Sequence, residues 1–338
     1  MRDHRIDILR FIGLAMIILA HVGPPRLIFE IRNFDVPLMV LVSGMSFELS
    51  HKPGEPYGAY VWKRIKRLVF PVWIFLSGYF MVLLAIDPDS PELNGEAILT
   101  SYGLIGGIGY VWIIRVFLLV ALVSPLLYAL HRKIRSTTAY LLTLAGGLAL
   151  YDTCRYLTLP YIQSGPLEGM SLVSHYLIPY SLVFMAGLRL QSLSKGKAWA
   201  FALISLVATL VIGYALYKLN GRFISTQEQK YPPSAYYIAY AMFMAGSLWL
   251  ISPAIESLLE KAKVKSAFLF VAQNSIWIYL WHIPMVKAIH LHFLPKYFII
   301  FLAATAATYA QVWLVQHLLV RITHSDRLKR NLRTVLTG

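Results

Sequence analysis

The chain has 338 residues, 58% of them hydrophobic and only 14% charged, with a mean hydropathy of +0.61. A soluble domain of average make-up carries roughly a quarter charged residues, so an ordinary water-facing surface is excluded, and the same composition excludes intrinsic disorder. The net charge of +15 suits a nucleic-acid-binding surface unless the basic residues mark the ends of membrane spans.

A transmembrane helix needs about 20 mainly apolar residues to cross a hydrocarbon core of roughly 30 Å. Segments of this kind are predicted, in chain order, at 6–23, 34–49, 68–86, 110–130, 138–152, 172–190, 198–218, 235–251, 267–289 and 297–320. The second and fifth are short, and 97–109 reads as an interfacial or re-entrant piece. The first span has Asp3 and Asp7 close by and no small-residue cleavage site, so it is expected to be a retained helix and not a signal peptide. Placing the N-terminus in the cytoplasm gathers most Lys and Arg residues on one side. They include Arg2, Arg5 and Arg10, the run Lys63-Arg64-Ile65-Lys66-Arg67, Arg132 to Arg135, Lys261 to Lys265, and the tail from Arg321 to Arg333. Excess Lys and Arg in short loops mark the cytoplasmic face. The expectation is therefore an all-α integral membrane protein with about ten transmembrane helices and both termini cytoplasmic. It forms one membrane domain over 1–338, with no separate soluble domain. The charge becomes a topology signal with some attraction for anionic lipid headgroups, and nucleic acid drops out as a partner.

Other marks bound the chemistry. A single Cys154 permits no intramolecular disulfide. Asp87, Asp89, Glu92 and Glu96 fall in one outer loop and read as solvated. No phosphate-binding loop, dinucleotide fingerprint or metal-ligand spacing occurs, so neither a metal nor a permanently bound cofactor is expected. His290 and His292 read as incidental.

Ionisable residues inside spans are costly and are functional candidates by default. Arg10 and His21 return to nearly the same face of the first helix, roughly 16 Å apart along its axis. Arg10 lies toward the cytoplasmic end and His21 toward the outer end. The bland reading is that both reach into headgroup layers. Arg64 and Arg67, on one helical face, could grip phosphates bidentately, or could simply mark the inner side. His282, in Tyr279-Leu280-Trp281-His282-Ile283-Pro284, is expected in the outer half of its span, level with His21. Arg115 needs a carboxylate, a ligand phosphate or a backbone partner.

These pieces together resemble acyltransferase family 3. The family's opening pattern appears as Asp7, Arg10 and His21 in RIDILRFIGLAMIILAHVG. The second-span pattern appears as VPLMVLVSGMSF, with Leu38-Met39-Val40 where a Phe pair is usual. The third is AYVWKRIKRLVFP, with Arg64, Arg67 and Pro71. GYVWIIRVFLLVALVSPLLY, KYPPSAYYIAY and NSIWIYLWHIPM resemble later family elements. The resemblance implies transfer of an acyl group, commonly acetyl, from cytoplasmic acyl-CoA to a hydroxyl of an extracytoplasmic or lipid-linked glycan. It implies an integral, multi-pass protein of the bacterial cytoplasmic membrane. It makes His21 a catalytic base or acyl relay and Arg10 a support for the donor or its tunnel. Arg64 and Arg67 become holders of the CoA phosphates, and Arg115, His282 and Asp7 candidates for contacting substrate. Two rival readings remain at this stage. One is a multi-pass transporter or lipid-linked-glycan flippase, and the other is a membrane scaffold for polysaccharide assembly.

Overall fold

The computed structural model describes residues 3–162 and 168–337. No β-strand occurs among the described residues. In chain order the helices are α1 (His4–His21), α2 (Arg26–Ile31), α3 (Asp35–Ser50), α4 (Tyr57–Ile86) and α5 (Gly95–Tyr102). They continue as α6 (Trp112–Lys133), α7 (Thr137–Ile162), α8 (Glu168–Leu190), α9 (Lys195–Asn220) and α10 (Ala235–Lys261). The last are α11 (Lys265–Gln273), α12 (Ser275–Ala288), α13 (Phe293–Leu314), α14 (Val320–Ile322) and α15 (Asp326–Leu336), with a π-helical turn at Val315–Leu319.

Every apolar segment read from the sequence lies on helix. Among the described residues, six helices are long and apolar enough on their own to cross a membrane: α4, α6, α8, α9, α10 and α13 with its π-helical extension. Several boundaries differ from expectation, and α10, expected to end at 251, runs on to Lys261. α4 has 30 residues and begins at Tyr57, so Lys63 to Arg67 ride on the helix and do not precede it. α7, read as short, runs for 26 residues. The segment 267–289 breaks at Asn274, whose side-chain amide turns back to donate to the Phe270 carbonyl at 2.8 Å and satisfies a helix-end acceptor.

The chain divides into two compact units. The first comprises Met1–Ile17, Pro25–Lys52 and Leu122–Phe268, and the second Ile18–Pro24, Pro53–Ala121 and Leu269–Gly338. In the first unit α3 and α8 touch backbone to backbone. A Cβ on Gly44 would stand 2.2 Å from the Phe184 carbonyl oxygen, and one on Gly187 2.0 Å from that of Leu41. Small residues of this kind let helices approach closely where lipid removes the hydrophobic drive between them. α9 packs on α10 where Gly246 meets Phe201 and Ala202. Its other face leaves Leu203, Ile204, Val207, Leu210 and Val211 exposed, an apolar surface suited to hydrocarbon and not to water.

The same unit buries a charged cluster. Arg32 Nη1 donates to Asp35 at 2.6 Å and Lys230 Nζ donates to its other oxygen at 3.3 Å. All three are about 3% exposed or less. Asn33 donates to Thr226 at 3.3 Å, so the corner between α2 and α3 is tied to the 221–234 loop.

In the second unit α12 packs on α13 and α4. Trp281 Nε1 donates to Gln311 Oε1 at 2.8 Å, and Gln311 Nε2 donates to the Leu336 carbonyl of α15 at 2.7 Å. The indole of Trp277 donates to the Val335 carbonyl at 3.0 Å. A glutamine and two tryptophans, costly in lipid as orphans, thereby hold the C-terminal helix against the unit.

Candidate active site

His21 and His282, placed at one level from the sequence, are partners in the second unit. His21 Nδ1 lies 2.8 Å from His282 Nε2, and the rings stack with centroids 5.0 Å apart and an 18° interplanar angle. His282 is fully buried, and its Nδ1 contacts the Tyr279 carbonyl oxygen. A carbonyl only accepts, so His282 Nδ1 carries the proton and its Nε2 is the acceptor. His21 Nδ1 must then be the donor, and the lone pair of the His21 ring resides on Nε2. One backbone carbonyl thus fixes the tautomers of both rings.

Tyr110 completes the ring cluster. Its ring stands edge-on to His21, centroids 4.9 Å apart at 76°, and 6.0 Å from His282. The Tyr110 carbonyl accepts from Tyr279 Oη at 2.6 Å, so the α12 turn that locks His282 also holds the segment bearing Tyr110. That segment, 103–111, is wound into turns on the end of α5. Ser101 Oγ accepts from Ile108 N at 3.0 Å. Gly107, at φ +62°, lies so close that a Cβ would fall 1.9 Å from Ser101 Oγ. Arg115 Nη1 donates to the Ile105 carbonyl at 2.9 Å and to that of Leu104 at 3.3 Å. Of the partners Arg115 required, the structure supplies backbone.

A second group borders Tyr110 and had not been singled out from the sequence. Glu92 bonds Lys287 Nζ and, at 2.7 Å, accepts from Tyr79 Oη. Lys287 donates to the Tyr79 hydroxyl at 2.9 Å and lies 5.6 Å from the Tyr110 ring centroid. Glu92, expected to be solvated, is therefore tied down. Its partner is 195 positions away, so no local pattern announces the pair.

The remaining candidates lie elsewhere. In the first unit Arg10 Nη1 donates to Asp7 at 2.9 Å and Nη2 to Ser46 Oγ at 2.7 Å. In the second unit Arg64 stacks over the Tyr60 ring at 4.9 Å, and Arg67 is exposed on the same helix. From Arg67 to Tyr79, beside Lys287, α4 rises roughly 18 Å at 1.5 Å per residue. A crevice of about 160 Å³ in the first unit is lined by Leu144, Leu148, Val183, Phe201 and Met242. Apart from the Ser205 hydroxyl, its lining offers nothing to grip a phosphate or take a proton.

A multi-pass helical membrane protein with a tautomer-locked imidazole pair has the means for acid–base or nucleophilic chemistry. Residues 3–317 match the acyltransferase domain of acyltransferase family 3, and the chain belongs to that family. It is an integral, multi-pass membrane acyltransferase. No curated protein and no solved structure matches it significantly.

Proposed function

We propose that the protein moves an acyl group, acetyl in the simplest case, from cytoplasmic acyl-CoA to a hydroxyl of an extracytoplasmic or lipid-linked glycan. The topology proposed with it has about ten membrane crossings and cytoplasmic termini, in a bacterial cytoplasmic membrane. The hydrogen-bonded His21–His282 pair carries this reading, because it leaves the His21 lone pair on Nε2. As the acceptor hydroxyl oxygen attacks the thioester carbonyl, Nε2 takes its proton. The tetrahedral intermediate collapses with loss of CoA thiolate, which recovers that proton from the imidazolium. His282 is a positioning residue that acts through His21. In the covalent variant Nε2 itself attacks the thioester and CoA thiolate leaves; the acyl-imidazole then passes its acyl group to the acceptor hydroxyl, whose proton returns through Nε2 to the thiolate.

The donor's phosphates cannot enter hydrocarbon, whereas its pantetheine arm, roughly 15–20 Å long, is comparable with the α4 rise between Arg67 and Tyr79. Arg64 and Arg67 hold the phosphates at one end of α4 in this reading. Arg10 stays assigned to the donor or its tunnel, and Asp7 to contact with substrate, by the family resemblance alone, and Arg115 serves by shaping the loop that carries Tyr110. The deciding experiment incubates purified protein with labelled acetyl-CoA and glycan acceptor. Thiol release and acceptor labelling that vanish in His21→Ala, with insertion intact, are expected. Undiminished release in that variant overturns the assignment, and the absence of any thiol release from the wild type favours a transporter or scaffold.

A further inference from the structure

The basic surface of the second unit extends beyond the arginine pair on α4. α15 is a short amphipathic helix with Leu328, Leu332, Val335 and Leu336 along one side and Arg327, Arg330 and Arg333 exposed on the other. Its start is capped by Ser325 Oγ, which accepts from Leu328 N at 3.4 Å. Its end is held by the Trp277 and Gln311 bonds to the Val335 and Leu336 carbonyls. A third anchor reaches α4, where Lys66 Nζ donates to Asn331 Oδ1 at 3.1 Å.

That bond fixes the side of α15 turned toward α4. Arg327 stands one turn before Asn331 on the same face, about 6 Å along the axis, and Arg330 lies about 60° further round the helix from Arg327. Two basic stretches are therefore held side by side. Lys63 pairs with Glu55, and Lys329 with Asp326 at 3.7 Å. Topology alone needs only an excess of cations on one side of the membrane. It does not need those of one helix folded against those of another, which is repulsive unless an anion lies between them. α15 also lies past residue 317, where the family match ends, so the shared acyltransferase domain does not account for it.

We propose that α15 and the start of α4 together form a phosphate-binding surface, in which Arg327 and Arg330 join Lys66 and Arg67, whereas Arg64, about 200° round α4 from Lys66, turns away toward Tyr60. The ligand it fits is a polyphosphate anion, and on the acyl-CoA reading, on which this identification rests, that anion is the donor's CoA moiety. Guanidinium forks on two adjoining helices grip non-bridging phosphate oxygens bidentately. α15 then acts as a clasp, contributing to donor affinity and not to the chemical step.

The test compares the wild type with Arg327→Gln/Arg330→Gln/Arg333→Gln, whose side chains are exposed and whose melting temperature is expected to be unchanged. Binding of free coenzyme A is measured by calorimetry in detergent without anionic lipid, and binding to phosphatidylglycerol against phosphatidylcholine vesicles is measured separately. The variant is expected to bind coenzyme A about 5- to 30-fold more weakly at low salt, with the gap closing at high salt and lysine replacements restoring most of the affinity. A deficit confined to phosphatidylglycerol vesicles supports the same phosphate surface with a lipid headgroup as its source. Equal binding by the two proteins in both arms overturns the proposal while leaving the acyl-CoA reading intact. A wild type that binds no coenzyme A but shows the vesicle deficit refutes that reading and keeps the surface.

Discussion

Replacing His282 with phenylalanine separates the proton-transferring ring from the ring that orients it. Phenylalanine keeps the stacking against His21, now made at a 5.0 Å centroid distance, and fills a site that is fully buried. It removes the acceptor of the 2.8 Å hydrogen bond and with it the reason for His21 to hold its proton on Nδ1. His21, half-buried, is left a donor without this partner, at a cost of up to about 1–3 kcal/mol. If that cost appears in the transition state, the rate falls about 5- to 150-fold at 1.4 kcal/mol per tenfold. His21→Ala removes the base outright and is expected to cost about 10²- to 10⁴-fold. The informative variant is the double one, because His282 acts only through His21. Once His21 is alanine, the His282 replacement has nothing left to misalign, so His21→Ala/His282→Phe is expected to match His21→Ala alone. Thiol release from acetyl-CoA by the purified proteins gives kcat, and the KM for donor is expected to stay constant across the series. Multiplicative losses in the double variant, or a His282→Phe effect appearing wholly in donor KM, would refute the coupling.

Other perturbations test the supports of the site and of the fold. Gly107→Ala forces a Cβ at positive φ to within 1.9 Å of Ser101 Oγ; a loss of about 1–3 kcal/mol and a fall in kcat as Tyr110 shifts are expected, and a wild-type melting curve would show that the loop is not so constrained. In the buried cluster, Asp35→Asn leaves Arg32 and Lys230 as uncompensated cations and is expected to cost about 3–5 kcal/mol. Lys230→Met keeps the neutral Arg32–Asp35 pair and is expected to cost less, about 1.5–3 kcal/mol; the reverse order in denaturant titrations would contradict the pairing. Lys287→Met breaks a pair whose members are 30% and 29% exposed, so the stability loss is expected to stay below about 1 kcal/mol. Adding Glu92→Gln neutralises the stranded carboxylate and is expected to recover stability, whereas a further drop in melting temperature would show that the two do not interact.

What the sequence made legible was governed by local signals. Long apolar runs mark helices because backbone groups in lipid must be satisfied within the segment, and each such run is helical here. The expectation that His282 lies level with His21 pointed toward their pairing, and the two rings do meet. Boundaries set by charge were less readable: Lys63 to Arg67 looked like the water-side edge of a span, yet basic side chains continue a helix without penalty and α4 starts earlier. The break at Asn274 carried a signal in its amide, which competes with the helix for backbone partners. α15 was invisible as a helix because its short, highly charged stretch reads as a tail until the Trp277, Gln311 and Lys66 anchors come from three other helices. Glu92 with Lys287 and Asp35 with Lys230 each join residues 195 positions apart, and no window along the chain contains both members.

The Asp35 cluster also sets an order of events during synthesis. Arg32 and Asp35, three positions apart, leave the ribosome together and can enter the membrane as a self-neutralised pair. Lys230 emerges much later, about 10–40 s at typical elongation rates. In that interval one Asp35 oxygen is held by Arg32, and the other has the Val36 backbone N–H at 2.8 Å. The corner between α2 and α3 must stay open to receive the incoming ammonium. Closure of the first unit at this point thus waits on the synthesis of the 221–234 loop.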